Sequence, residues 1–315
     1  MSGLAVPAEL VRVPGFCNQW GLDLTRGCAH ACAYCHFQKY QALTLHHAHP
    51  GHELADALSI EEFLARSDYP PELYLSPFTD PLARLAQANL ERVLQRVLPL
   101  GVKVGISTKG VVPRRIFRLL AQYPEQVRLI IGLTSMDDRR NYEVEPGCSL
   151  ARARLANLGL AREHVLKKLT VRLDPLLPGV DDLPEKLRPL LDQIAQWGAQ
   201  AVTASYLFLS VLGSKARLRQ VPYLGQAVEY CTELCPIEGG MVYSVPLSRK
   251  QQMYEWFQEQ CTARGLHFGT CGCKDLRLSG GTFATACSYP YLSACAAPTL
   301  RKRDPLPAEG CGHER

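Results

Sequence analysis

The sequence predicts an α/β fold built from parallel strand–helix units, with a small cysteine-rich extension toward its C-terminal end. Three observations carry this. Six apolar, strand-like segments recur in the first two-thirds of the chain, and helix-like stretches separate them. After about residue 235 this regularity fades, and Gly, Cys, Ser and Thr take over. Six units are too few for the common eight-stranded barrel, so an open partial barrel and a doubly wound sheet both satisfy the pattern.

The strand-like segments are 20–25, 72–76, 102–108, 127–134, 169–173 and 201–209. The helix-like stretches between them are 59–66, 81–98, 113–122, 149–160 and 183–197. Ser59 ahead of Glu61 and Glu62 reads as an N-cap over an acidic first turn. Pro81 and Pro113 suit a first helical turn, and Gly101, Gly159 and Gly198 fall at or just after helix ends. A later stretch, 247–264, also reads as helix, with Trp256 and Phe257 facing inward. The organisation expected is an N-terminal extension over 1–19, the βα domain over 20–230, a Cys-rich subregion over 231–297, and a loose tail over 298–315.

Composition excludes several classes. With 47% hydrophobic and 21% charged residues, the 315-residue chain is neither disordered nor fibrous. No secretory leader opens it and no run of about 18 apolar residues interrupts it, so a cytoplasmic protein without a membrane span is expected. The net charge of +5 permits an anionic partner without demanding one, and no long basic stripe marks a dedicated nucleic-acid binder.

Thirteen cysteines are the strongest signal, because a long chain without a leader is not a disulfide scaffold. Cys28, Cys32 and Cys35 lie within eight residues, in Gly27-Cys28-Ala29-His30-Ala31-Cys32-Ala33-Tyr34-Cys35. Three thiolates at this density suit a soft metal centre, zinc or iron–sulfur. A structural zinc would take a fourth ligand from His30, His36 or the late cysteines, giving a zinc-held binding module without catalysis.

The Cys-x3-Cys-x2-Cys spacing after a first strand, with an aromatic before the third cysteine, resembles the signature of the radical S-adenosylmethionine superfamily. Four segments are similar to its spore photoproduct lyase-like, or DNA repair photolyase-like, branch. They are Thr25-Arg26-Gly27-Cys28 with Cys35; Tyr74-Leu75-Ser76-Pro77-Phe78-Thr79-Asp80-Pro81; Ser107-Thr108-Lys109-Gly110, with Gly110 in place of a serine; and Arg172-Leu173-Asp174-Pro175-Leu176-Leu177-Pro178-Gly179. Over about residues 20–182 the resemblance implies a partial (β/α)6 TIM-like barrel. It further implies that Cys28, Cys32 and Cys35 bind three irons of a [4Fe–4S] cluster whose fourth iron chelates S-adenosylmethionine. One electron then cleaves the cofactor to a 5′-deoxyadenosyl radical, and a protein such as flavodoxin or ferredoxin supplies the electron.

Within that frame Ser76, Thr79 and Asp80 are expected to meet the cofactor's ammonium group, and Lys109 its carboxylate or ribose. Thr134 and Ser135 are ribose partners, and Arg172, inside an apolar run, needs a cofactor or substrate carboxylate. Tyr34 walls the adenine and the Phe37 backbone reads its edge. Cys148, in the loop after the fourth strand with Glu143 and Glu145, is the candidate hydrogen donor. Photoproduct lyases keep their donor cysteine near the second strand, where this chain has Ser76, and that departure argues against photoproduct repair itself. His46, His47, His49 and His52 read as a solvated loop.

Among the late cysteines, Cys271, Cys273, Cys287 and Cys295 are candidate ligands of a second iron–sulfur cluster, with Cys261 as a substitute. A small metabolite or peptide is the substrate class expected first, and a nucleic-acid base lesion or modification is the alternative.

Overall fold

The computed structural model describes residues 11–12, 20–36, 53–55, 57–67, 69–211, 215–237 and 240–278. Its strands are β1 (Val11–Arg12), β2 (Trp20–Leu22), β3 (Thr25–Gly27), β4 (Glu53–Ala55), β5 (Glu72–Leu75), β6 (Lys103–Thr108) and β7 (Val127–Gly132). They continue with β8 (Lys168–Leu176), β9 (Ala201–Tyr206), β10 (Phe208–Ser210), β11 (Glu233–Ile237), β12 (Gly240–Ser244) and β13 (His267–Thr270). The helices are α1 (Ala57–Leu64), α2 (Ala86–Val97), α3 (Arg114–Leu120), α4 (Asp138–Val144), α5 (Ala151–Glu163), α6 (Pro184–Gln196), two short turns α7 (Lys215–Leu218) and α8 (Leu224–Ala227), and α9 (Leu247–Thr262).

The main sheet runs β1-β2-β5-β6-β7-β8-β9-β13. Every pairing from β2 to β13 is parallel, and β1 alone joins antiparallel at the edge. This is an α/β fold with a parallel core that resembles a partial TIM-like barrel. Parallel strands bury both faces, and β7, Val-Arg-Leu-Ile-Ile-Gly, is accordingly almost continuous apolar sequence. A second sheet, β10-β12-β11, is antiparallel and follows β9 after a single residue, Leu207.

The outer helices bury one face each. In α2 the buried positions are Ala86, Asn89, Leu90, Val93, Leu94 and Val97, the 3–4 spacing of a stripe laid on a sheet. Asn89 is the polar member of the stripe, and its side-chain amide donates to the Leu24 carbonyl at 2.9 Å.

Several sequence expectations change. The sheet has seven parallel strands rather than six, because β13 lies in a stretch whose Gly and Cys content hid it. Segment 20–25 divides into β2 and β3, and segment 201–209 into β9 and β10. Ser59 lies inside α1 rather than capping it, and α2 starts at Ala86, well after Pro81. Gly159 is internal to α5, where it serves packing: a Cβ there would stand 2.8 Å from the Trp197 ring. The loop expected after the fourth strand contains α4, whose N-cap Asp137 accepts from the Arg139 and Arg140 amides.

Candidate functional site

The motif residues gather at the C-terminal ends of the parallel strands, where a barrel carries its site. A cavity of about 190 Å³, open to solvent, lies there. Tyr34, Cys35, Ser76, Thr79, Asp80 and Lys109 line it, and Arg172 faces them from β8. The structure does not bring Thr134, Ser135 or Cys148 to this lining. Thr134 is buried, its hydroxyl without a hydrogen-bond partner among the described residues, while Ser135 turns the chain into α4, its Oγ accepting from the Asp137 amide at 3.1 Å. Phe37, Cys287, Cys295 and the histidines 46, 47, 49 and 52 lie outside the described residues.

Cys28, Cys32 and Cys35 stand on the loop that leaves β3, all three partly exposed. That loop is tied to the α4–α5 connection by two backbone hydrogen bonds, Ala33 N to Val144 O at 2.8 Å and Gly147 N to His30 O at 3.0 Å. The approach is so close that a Cβ on Gly147 would stand 2.1 Å from the Ala29 carbonyl oxygen. Cys148 follows directly, and its sulfur lies 3.6 Å from that of Cys32. The sulfur–sulfur contact with Cys148, with Lys109 nearby, pulls Cys32 down, and Cys148 is pushed up.

Under the loop lies a charged network with almost no solvent. Tyr34 donates its hydroxyl to Glu145 Oε1, and Glu145 Oε2 sits 2.6 Å from Arg154 Nη1. Arg140 pairs with Asp181 through two nitrogens and comes within 4.0 Å of Glu145. Burial alone would raise Glu145, but Lys109, Arg154 and Arg140 together hold its carboxyl down at about 2.

Asp80 is more committed than the sequence reading assumed. Its Oδ1 accepts from Thr108 Oγ1 at 2.7 Å and Leu82 N at 2.9 Å. Its Oδ2 accepts from Lys109 N at 2.8 Å and faces His30 Nδ1 at 3.2 Å. Burial opposes ionisation, yet His30 and these donors keep the carboxyl near 2. Four partners occupy a carboxylate's lone pairs, so Asp80 fixes the strand ends at the cavity. Thr79 is held similarly, its hydroxyl donating to Asp23 Oδ1 at 2.8 Å. Ser76 accepts from the Leu24 amide at 3.3 Å.

Arg172 finds the acceptor its apolar setting demanded within its own strand. Asp174 Oδ2 accepts from Arg172 Nε at 2.7 Å and also from Lys274 Nζ. Lys274 reaches the cavity from the short turn Gly272–Lys274; Cys271, just before that turn, and Cys273, within it, are both partly exposed. Cys261, the substitute ligand, is instead wholly buried in the core against the sheet, its thiol raised to about 12 by burial. Lys274, Asp174, Phe208 and Asp23 were missed by sequence reasoning. Asp174 sat within a quoted motif, but nothing around Lys274 distinguishes it from a solvated lysine.

Among the described residues no three Cys, His, Asp or Glu side chains are gathered as a finished metal site. The donor set nonetheless fits an iron–sulfur cluster. It offers three soft thiol donors within eight residues of one partly exposed loop.

An uncharacterized protein of Mycobacterium tuberculosis is 31% identical over 206 residues, 58% of this chain and 57% of the relative. One from Acidianus two-tailed virus is 24% identical over 207 residues, 60% of this chain and 67% of the relative. The chain thus spans little more than half the length of the mycobacterial protein. Spore photoproduct lyase complexed with dinucleoside spore photoproduct shares the fold with a TM-score of 0.57 at 14% identity, over 78% of this chain and 74% of that one. SuiB of Streptococcus suis, bound to S-adenosylmethionine, does so with a TM-score of 0.55 at 13% identity, over 86% of this chain and 52% of that one. The Radical SAM superfamily model matches residues 22–191, more than half of the chain, from β2 through α6 and across the cysteine loop. The chain belongs to the radical SAM superfamily.

Proposed function

We propose that this protein is a radical S-adenosylmethionine enzyme of the spore photoproduct lyase-like branch that modifies a base of a nucleic acid or nucleotide. In this reading Cys28, Cys32 and Cys35 hold a [4Fe–4S] cluster, which when bound supplies the electron that cleaves S-adenosylmethionine to a 5′-deoxyadenosyl radical. Tyr34, Ser76, Thr79, Asp80 and Lys109 form the cofactor's bed, and Arg172 stands across the cavity toward the cofactor or the substrate. Asp80 and Thr79 act mainly by fixing the strand ends, and Lys109 supplies a cation beside Tyr34, its ammonium 5.7 Å from the ring centroid. An external reductant of the flavodoxin or ferredoxin kind delivers the electron.

The observation that carries the substrate class is the cavity wall formed by Phe208. This ring lines the cavity, with His36 set edge-on at 5.2 Å and Lys274 5.7 Å from its centroid. A flat ring beside cations suits a base attached to phosphate, and base–aromatic stacking contributes about 1–3 kcal/mol per base. The fold shared with a lyase solved with a dinucleoside photoproduct supports the same class over a small metabolite or peptide. Ser76 stands where that branch keeps its thiol donor, and Cys35 is the one cysteine lining the cavity among the described residues. These two facts favour modification over thiol-dependent repair.

Anaerobic reconstitution with iron and sulfide tests the reading. About four irons at the triplet, and about eight per chain where the late cysteines hold a second cluster, are expected, with 5′-deoxyadenosine formed with a chemical reductant and salt-sensitive binding of a short oligonucleotide. Stoichiometric zinc with no cofactor cleavage would instead establish a zinc-held module. Cofactor cleavage without any nucleotide binding would return the small-metabolite or peptide class.

A further inference from the structure

The far side of the cavity carries a charge imbalance that the cluster and its loop do not use. Asp174 Oδ2 accepts from Arg172 Nε at 2.7 Å, from Arg172 Nη2 at 2.6 Å, and from Lys274 Nζ. Among the described residues one carboxylate, Asp174, thus bridges two cations, and all three side chains line the cavity. Lys274 spends one of its three donors, on Asp174, among the described residues.

Lys274 is also held in place, as a ligand-binding cation should be. The next residue, Asp275, is buried between Lys250 Nζ at 2.8 Å and the Arg277 guanidinium at 2.8 and 2.9 Å. Lys274 N closes its turn on the Cys271 carbonyl at 3.1 Å. A cation fixed before binding loses little freedom on binding, which favours affinity. Beside it stands the Phe208 ring, on the first residue of β10.

We propose that Lys274, with Arg172, forms an oxyanion subsite that seats a phosphodiester of the substrate while Phe208 faces the attached base. This rests on the nucleic-acid reading for its ligand, whereas the subsite's preference for an oxyanion does not. The cofactor carboxylate is the other source of the same chemistry, and the test separates the two.

The experiment uses the reconstituted enzyme saturated with S-adenosylmethionine. The probes are a thymidine dinucleotide joined by a phosphodiester and the same dinucleotide joined by an uncharged methylphosphonate, with binding read by calorimetry. The wild type is expected to bind the phosphodiester at least tenfold more tightly, a comparison that needs no variant to fold. Lys274→Gln should erase the preference, Lys274→Arg should keep most of it, and cofactor affinity should stay within twofold in both. A preference that survives Lys274→Gln overturns the subsite. So does a loss that falls on S-adenosylmethionine binding, which would assign the cation to the cofactor carboxylate. If the wild type binds neither dinucleotide, the nucleic-acid reading fails by itself. Titration with inorganic phosphate then decides the subsite: Lys274-dependent binding upholds it, and equal binding by wild type and Lys274→Gln rejects it.

Discussion

The Tyr34 hydroxyl, one residue before the last cysteine of the triplet, donates to a Glu145 carboxylate whose second oxygen is paired with Arg154. The cysteine loop is therefore anchored to a buried charge on the connection between α4 and α5. Glu145→Gln would strand Arg154, and the nearby Arg140, without this counter-charge in a nearly solvent-free site. Removing one partner of a buried pair costs about 3–5 kcal/mol. Tyr34→Phe leaves the charges paired and should cost about 1 kcal/mol. Urea unfolding of the two variants, with iron content after reconstitution, checks this ordering. Equal stability of Glu145→Gln and the wild type would contradict it.

Gly147 gives a steric version of the same test. Its Cβ position lies 2.1 Å from the Ala29 carbonyl oxygen, a backbone atom that cannot swing aside as a side-chain tip can. Gly147→Ala should push the cysteine loop away from Cys148 and reduce bound iron by more than half. Gly240→Ala, at a position with no atom within 4 Å of the added carbon, should leave iron unchanged. Equal iron in the two variants would show that the loop is not set by this contact.

The parallel core was legible because buried parallel strands are long apolar runs that few other structures tolerate, as in β6 and β7. The seventh strand was not, since His267–Thr270 is four residues of mixed character whose pairing depends on the distant β9. The cysteine loop and the strand-end motifs were legible as local patterns. Their supports were not: Arg154 reaches Glu145 from within α5, and Lys274 reaches Asp174 across 100 positions. A long-range ion pair leaves no spacing to read, and each partner alone looks like an ordinary surface charge. The same limit explains Asp80, where the motif showed a carboxylate at the cavity but not the His30 and Thr108 groups that occupy it.

Replacing any one of Cys28, Cys32 and Cys35 with alanine should remove about four irons per chain and the visible absorption that accompanies them. Cys271→Ala with Cys273→Ala addresses the second cluster expected from sequence. Halved iron would support it, while unchanged iron would leave these thiols as neighbours of Lys274 without a metal. Both outcomes are read by iron analysis and absorption before any turnover is measured. A triplet variant that kept its iron would remove the cluster assignment from that loop.

Asp23 offers a pH test away from the cysteines. Its Oδ1 accepts from the Phe78 amide at 3.2 Å and from Thr79 Oγ1 at 2.8 Å, pinning the cavity loop to the segment that follows β2. Burial raises its carboxyl from 3.8 to about 6, outweighing these hydrogen bonds. The folded state therefore binds a proton that the unfolded chain releases near 3.8. The stability this adds is complete below pH 3.8 and is lost as pH rises through about 6. A shift of about two units corresponds to about 3 kcal/mol at most, and the half-buried setting reduces this to about 1–2 kcal/mol. Asp23→Asn keeps an acceptor oxygen for Phe78 and Thr79 but cannot ionise. It should match the wild type near pH 4 and exceed it by about 1–2 kcal/mol at pH 7. Urea unfolding at pH 4, 5, 6 and 7 gives the comparison. A wild type that gained on the variant as pH rose would show that the ionised carboxylate is the form the folded cavity loop prefers.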